Sequence, residues 1–162
     1  MALARSHDLL TKSDWDNVSL REVAAMSVQD AEEARTTVDG PAILLPPSHA
    51  VALGMVLHEL FTNALKYGAL SNGGGRVAVR WTLDRKMPGA IEICWQEDGG
   101  PPVSAPGRKG FGSILVERMV KSELEGDVEM EFRPQGLACR INARLADVLT
   151  GGRPTEGCTV RA

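Results

Sequence analysis

Apolar residues recur along this chain at two periods, and the changes between them divide it into elements. Leu20, Val23, Ala24 and Val28 follow helical spacing, and Ser19 with Glu22 three residues on has the form of a capping box. Ahead of them, Leu3, His7 and Leu10 share one side of a helix that starts at residue 1 with no capping residue, which suggests that the chain begins inside a longer helix. The stretch from Thr11 to Asn17 is polar and turn-like. Two short β-forming runs, Thr36–Val38 and Ile43–Leu45, flank the turn signal Asp39-Gly40, so residues 34–45 read as a hairpin. Pro46-Pro47-Ser48 then opens a long helix from about Ser48 to Ala69, with Gly68 placed as a left-handed terminator.

Beyond the glycine-rich loop at 71–75 the period falls to two. Val77, Val79 and Trp81 alternate with Arg76, Ala78 and Arg80, and Ile91, Ile93 and Trp95 alternate in the same way after a turn at Pro88-Gly89. These runs predict an antiparallel pair. Residues 98–112 are too rich in Gly and Pro for regular structure. Ile114 to Leu124 returns to helical spacing, then Val128, Met130 and Phe132 predict a strand, Gln135-Gly136 a turn, and Ala138 to Leu145 a last strand. Runs of adjacent strands mixed with helices point to an α+β sandwich: a mixed sheet with helices on one face.

Length and composition narrow the picture. A chain of 162 residues favours one domain, and 43% hydrophobic with 24% charged residues is ordinary for a soluble globular protein. The net charge of -3 and the lack of a Lys/Arg-rich stripe argue against a nucleic-acid partner. No apolar run approaches the ~20 residues of a membrane-spanning helix. Cys94, Cys139 and Cys158 show no CxxC spacing and are odd in number, so they read as buried free thiols. These features together suggest a cytoplasmic location, with any membrane anchor elsewhere in the parent protein.

Three stretches carry candidate chemistry. In the long helix, Glu59, Asn63 and Lys66 stand at i, i+4 and i+7 and so share a face, while Leu53, Met55, Val56, Leu60 and Ala64 supply the opposite, docking face. An acid, an amide and a cation in a row suit a Mg²⁺–phosphate site. The Asn63 amide oxygen is a hard ligand, Glu59 can hold a water or accept a proton, and Lys66 can neutralise a phosphate. A solvated polar face would carry the same residues. The second stretch, Trp95-Gln96-Glu97-Asp98-Gly99-Gly100, puts a carboxylate at a strand end before two glycines, where it could accept the exocyclic amine of adenine; an acidic turn after an edge strand is the alternative. The third, Gly110-Phe111-Gly112-Ser113, precedes a helix whose N-terminal amides would face an anion. It is neither a P-loop nor a dinucleotide fingerprint. Arg108 and Lys109 beside it either touch phosphate or belong to a charged loop.

The order and spacing of these stretches resemble the GHKL ATPase superfamily, and in finer detail the HWE histidine kinases. The segments that carry the likeness are HELFTNALKYGAL at 58–70, WQEDGGP at 95–101 and the opening ALARSHDLLTKSDW, and it covers most of residues 1–146. It implies a two-layer α/β sandwich of the GHKL (Bergerat) type, with a mixed, mostly antiparallel sheet. Residues 1–17 would end a dimerisation and phosphoacceptor segment and its linker, 18–147 would form the catalytic ATP-binding domain, and 148–162 a disordered tail.

The resemblance also implies roles. Glu59 and Lys66 would be catalytic, and Asn63 would bind Mg²⁺ directly, with Glu59 reaching it through water. Glu97 stands where most of the superfamily has the adenine-reading Asp, with Asp98 as the fallback. ATP would further meet Gly99, Gly100, Gly110, Phe111, Gly112, Ser113, Lys66 and Tyr67. His58, Thr62 and Trp95 would support the site, His7 would not be the phosphoacceptor, and His49 has no assignable role. The implied function is transfer of the ATP γ-phosphate to a histidine upstream of these residues, in a two-component pathway that reaches a response regulator indirectly. No nucleic acid and no membrane contact would be involved. Two alternatives stand beside it: a GHKL-type ATPase, and a degenerate kinase-like scaffold that binds no nucleotide.

Overall fold

The computed structural model describes residues 18–29, 31, 33–84, 87–103, 110–144 and 149–150. The expected helix at 1–11, the loop around Arg108 and Lys109, and most of the expected tail lie outside them. Two strands carry the centre of the fold. In β4 (Arg76–Leu83) and β5 (Ala90–Asp98), Val77, Val79, Trp81, Ile91, Ile93 and Trp95 are buried. The two strands pair antiparallel from Arg76 opposite Asp98 to Leu83 opposite Ile91, as their alternation predicts. With β2 (Thr36–Asp39), β6 (Asp127–Arg133) and β7 (Gly136–Arg144) they form a five-stranded sheet in the order β2-β4-β5-β7-β6. Only the β2–β4 pairing is parallel.

The inner face of this sheet shares one core with helices α1 (Leu20–Ser27), α2 (Pro47–Lys66) and α3 (Phe111–Glu123). Helix α2 fills the middle because Leu53, Val56, Leu57, Leu60, Phe61 and Ala64 recur at helical spacing and are all buried. The α+β sandwich with helices on one face is therefore the observed fold.

Several local expectations are corrected. Residues 34–45 do not form a hairpin. β2 joins the edge of the large sheet, and β3 (Ile43–Leu45) belongs to a second sheet between β1 (Val18–Ser19) and β8 (Leu149–Thr150). The turn residues are used differently: a Cβ on Gly40 would lie 2.4 Å from the Trp81 ring, and Trp81 Nε1 donates to Pro41 O at 2.8 Å. The chain thus packs on Trp81 and leaves the sheet. Ser19 makes no side-chain capping bond; its backbone pairs with Leu44 in the small sheet. Gly68, at φ -104°, is not a left-handed terminator. Leu149–Thr150 pairs with β3 within the stretch expected to be a tail. Cys139 is a buried free thiol, but Cys94 is disulfide-bonded, so the reading of free thiols throughout does not hold.

Candidate functional site

Helix α2 sets Glu59, Asn63 and Lys66 along one side, as its period requires, with Glu59 and Asn63 half-buried and Lys66 exposed in the last turn. Asn63 Nδ2 donates to Glu59 Oε1 at 3.2 Å. The amide nitrogen is thereby turned toward the carboxylate, and the amide oxygen takes no part in this bond.

The start of α3 closes on this pair. A Cβ on Gly112 would lie 2.0 Å from Glu59 Oε1, so a larger residue there would force the Glu59 side chain away from the first turn of α3. Gly110 caps the helix without a side-chain bond, and the first turn carries no acidic residue. The first amides of α3 lack intrahelical partners, and the helix dipole and bare N–H groups at such an end favour an anion. Gly110 itself is not required sterically, since a Cβ there would meet nothing. Phe111 is 82% exposed and Tyr67 70% exposed, two aromatic rings open to solvent at the ends of α3 and α2. Ser113, Thr62 and His58 are half-buried, and His58 points about 100° round the helix from Glu59.

The third cluster surrounds Glu97, whose alternation in β5 aims it inward; it is 1% exposed. Its Oε2 accepts the Ala69 N–H at 2.8 Å and its Oε1 accepts the Trp95 indole N–H at 3.0 Å. Each carboxylate oxygen keeps a second acceptor direction. Gly68 is glycine for this reason: a Cβ would lie 2.0 Å from Glu97 Oε2. Asp98, next along, is exposed. Gly99 has φ +72°, the left-handed region that favours glycine, and Gly100 lets the chain pass against Ala69, where a Cβ would come within 2.5 Å of Ala69 Cα. The reason for Gly68 and the Ala69 amide that holds Glu97 were missed from sequence; neither leaves a periodic signal.

Burial holds the Glu97 carboxyl above its ordinary 4.5, while the Ala69 and Trp95 donors pull the other way. Burial, with the Glu97 charge nearby, pushes the Cys139 thiol up to about 12. For Glu97 the folded chain holds the proton more tightly than the unfolded chain. Its contribution to stability therefore falls as pH rises from the ordinary value through the raised folded one. Glu97→Gln removes this titration. The melting temperature of the wild type relative to Glu97→Gln is expected to decline as pH rises above about 4.5; a difference that grows with pH would show that the two donors outweigh burial.

The geometry has parallels in known proteins. The HWE histidine kinase family matches residues 1–42. A blue-light-activated histidine kinase of Brucella anthropi is 35% identical over 152 residues, covering 91% of this chain and 31% of that protein. One from Brucella ovis is 34% identical over 148 residues, covering 89% and 30%. The chain is thus similar to the HWE histidine kinases over residues 1–42 and to blue-light-activated histidine kinases over about nine-tenths of its length. It spans about a third of the length of these kinase relatives. Its fold matches solved histidine kinase domains. That of the Erythrobacter litoralis EL346 blue-light-activated histidine kinase has a TM-score of 0.65 at 19% identity, covering 90% of this chain and 70% of that one. The mycobacterial sensor histidine kinase MprB has a TM-score of 0.59 at 22% identity, covering 86% and 99%. These likenesses show that the two-layer sandwich of this chain has the same fold as those histidine kinase domains. No helix among its described residues is long and apolar enough to cross a membrane.

Proposed function

We propose that this chain binds Mg-ATP and passes the γ-phosphate to a histidine on an upstream segment of its parent protein. The observation that supports this best is the closure of Gly112 on Glu59, which brings the first turn of α3 against the carboxylate that Asn63 bonds. The donor set fits Mg²⁺: one hard amide oxygen and one carboxylate, with no cluster of three His, Cys, Asp or Glu among the described residues. Asn63 and Glu59 would hold the cation, with water and phosphate oxygens completing its preference for hard ligands. When bound, Mg²⁺ neutralises charge on the phosphate oxygens.

The chain's own groups do the rest by position and charge. Asn63 offers its amide oxygen to the cation, and Glu59 orients a water or accepts a proton. Lys66, on a flexible stem in the last turn of α2, neutralises phosphate as a point charge. The Gly112 and Ser113 amides donate to phosphate oxygens, with Gly110 and Phe111 ahead of them. Glu97 receives the exocyclic amine of adenine through an acceptor direction that Ala69 and Trp95 leave open; Asp98, exposed beside it, is the fallback. Gly99 and Gly100 bring the backbone close to the base. Tyr67, exposed at the C-terminal end of α2, meets ATP, and His58, Thr62 and Trp95 support the site. The partners are ATP, the dimerisation and phosphoacceptor domain of the parent chain and, through it, a response regulator, in the cytoplasm. The catalytic domain spans 18–147, with the dimerisation linker before it.

Thermal-shift titration with Mg-ATP tests this reading, since a ligand that binds only the folded state raises apparent stability by mass action. A folded chain with a flat response would end it in favour of a scaffold. Base reading is tested by Glu97→Gln, whose amide can donate to the guanine carbonyl. The preference for ATP over GTP is expected to fall about 10- to 100-fold, the range of a hydrogen bond to a charged group. Equal losses for both nucleotides would remove Glu97 from the base site.

A further inference from the structure

Arg35 ends a one-turn helix, Glu33–Arg35, just before β2, and reaches the loop that joins α2 to β4. Its Nε donates to Gly75 O at 2.9 Å, and one terminal nitrogen donates to Ala69 O at 3.3 Å and to Asn72 O. The guanidinium thus ties the two ends and the middle of the Ala69–Gly75 loop. The same loop supplies the Ala69 N–H that donates to Glu97 at 2.8 Å. Ala69 is gripped on both sides: its carbonyl by Arg35, its amide by Glu97. Its backbone is also packed so closely against Gly75 and Gly100 that a Cβ on either would fall within 1.8 and 2.5 Å of it. Any drift of this peptide moves the donor that aims the Glu97 carboxylate.

We propose that Arg35 is a positioning residue for base recognition: by holding the Ala69, Asn72 and Gly75 carbonyls it fixes the Ala69 amide and, through it, the direction of the Glu97 carboxylate. This rests on the reading of Glu97 as the adenine acceptor. The guanidinium fork reaches three carbonyls at once; a lysine at 35 keeps the charge but offers a single compact head.

The experiment measures Mg-ATP and Mg-GTP affinity and melting temperature for the wild type, Arg35→Lys, Glu97→Gln and the double variant. Arg35→Lys is expected to weaken ATP about tenfold, the value of one charge-assisted hydrogen bond, and to leave GTP nearly unchanged. The double variant is expected to show no greater loss of ATP preference than Glu97→Gln alone, because both act through one carboxylate. A purely structural role would lower the melting temperature and weaken both nucleotides alike, and that result overturns the proposal. So does an unchanged ATP/GTP ratio in Arg35→Lys when the wild type prefers ATP. A wild type that binds neither nucleotide, or both equally, overturns the reading of Glu97 and this inference with it. Arg35→Gln, which removes the charge as well, is expected to give at least the loss seen with Arg35→Lys; a smaller loss also counts against the proposal.

Discussion

Asn63→Ala is expected to abolish the melting-temperature rise that Mg-ATP produces, while the free variant melts within a degree or two of the wild type. The first half follows from the donor set. Asn63 supplies the uncharged oxygen of the α2 face, and Ala has nothing to replace it, so affinity should fall at least about 100-fold if the amide ligates the cation. The second half follows from exposure. Asn63 is half-buried, its one side-chain bond among the described residues is to Glu59 a turn earlier, and alanine favours a helix interior more than asparagine does. Loss of the bond and gain in propensity are each about 0.5 kcal/mol and oppose one another. Titration of the variant with ADP in the absence of Mg²⁺ isolates the metal's share: that affinity should be nearly unchanged. A variant that melts far below the wild type would make Asn63 a structural residue and remove the metal ligand from the proposed site.

The two halves of the structure differ in how far their residues announce them. The β4–β5 pair and α2 are written in long periodic runs, because each has one face that must meet the core: Val77, Val79 and Trp81, Ile91, Ile93 and Trp95, and the stripe from Leu53 to Ala64. The Glu59–Asn63 face follows from the same stripe, since it is the side that the stripe leaves outward. The β2–β4 pairing has no such signal. β2 is four residues long and lies at the sheet edge with Val38 only half-buried, so its alternation is as compatible with a hairpin as with a parallel partner forty residues on. Arg35 was silent for a different reason: a single arginine outside any motif is read as surface charge until the carbonyls it reaches are known. Glu97 lies between these cases. Its place at the end of β5 was legible, but its burial between an indole and a backbone amide depends on the α2–β4 loop, whose course no local pattern dictates.

That loop supplies the second large effect. Gly73, Gly74 and Gly75 form a run in sequence that reads as uniform flexibility, yet the three positions are not equivalent. A Cβ on Gly73 would meet nothing, and one on Gly74 would approach no closer than 3.9 Å. One on Gly75 would lie 1.8 Å from Ala69 O and 2.6 Å from Ala69 C. The obstacle is backbone, so no rotamer change can relieve it, and Ala69 is itself held by Arg35 and Glu97. Gly75→Ala must therefore push the loop off Ala69, break at least one of those bonds, or both. A cost of about 2–4 kcal/mol is expected from forced overlap plus a stranded buried donor. The Ala69 amide should also lose its protection from hydrogen exchange ahead of the β5 and β7 amides, which lie in the middle of the sheet. Gly74→Ala, one residue away, should change stability by less than about 0.5 kcal/mol. Equal melting temperatures for the two variants would mean that the loop has room the geometry denies it, and that Ala69 is not the point on which the Arg35 and Glu97 contacts converge.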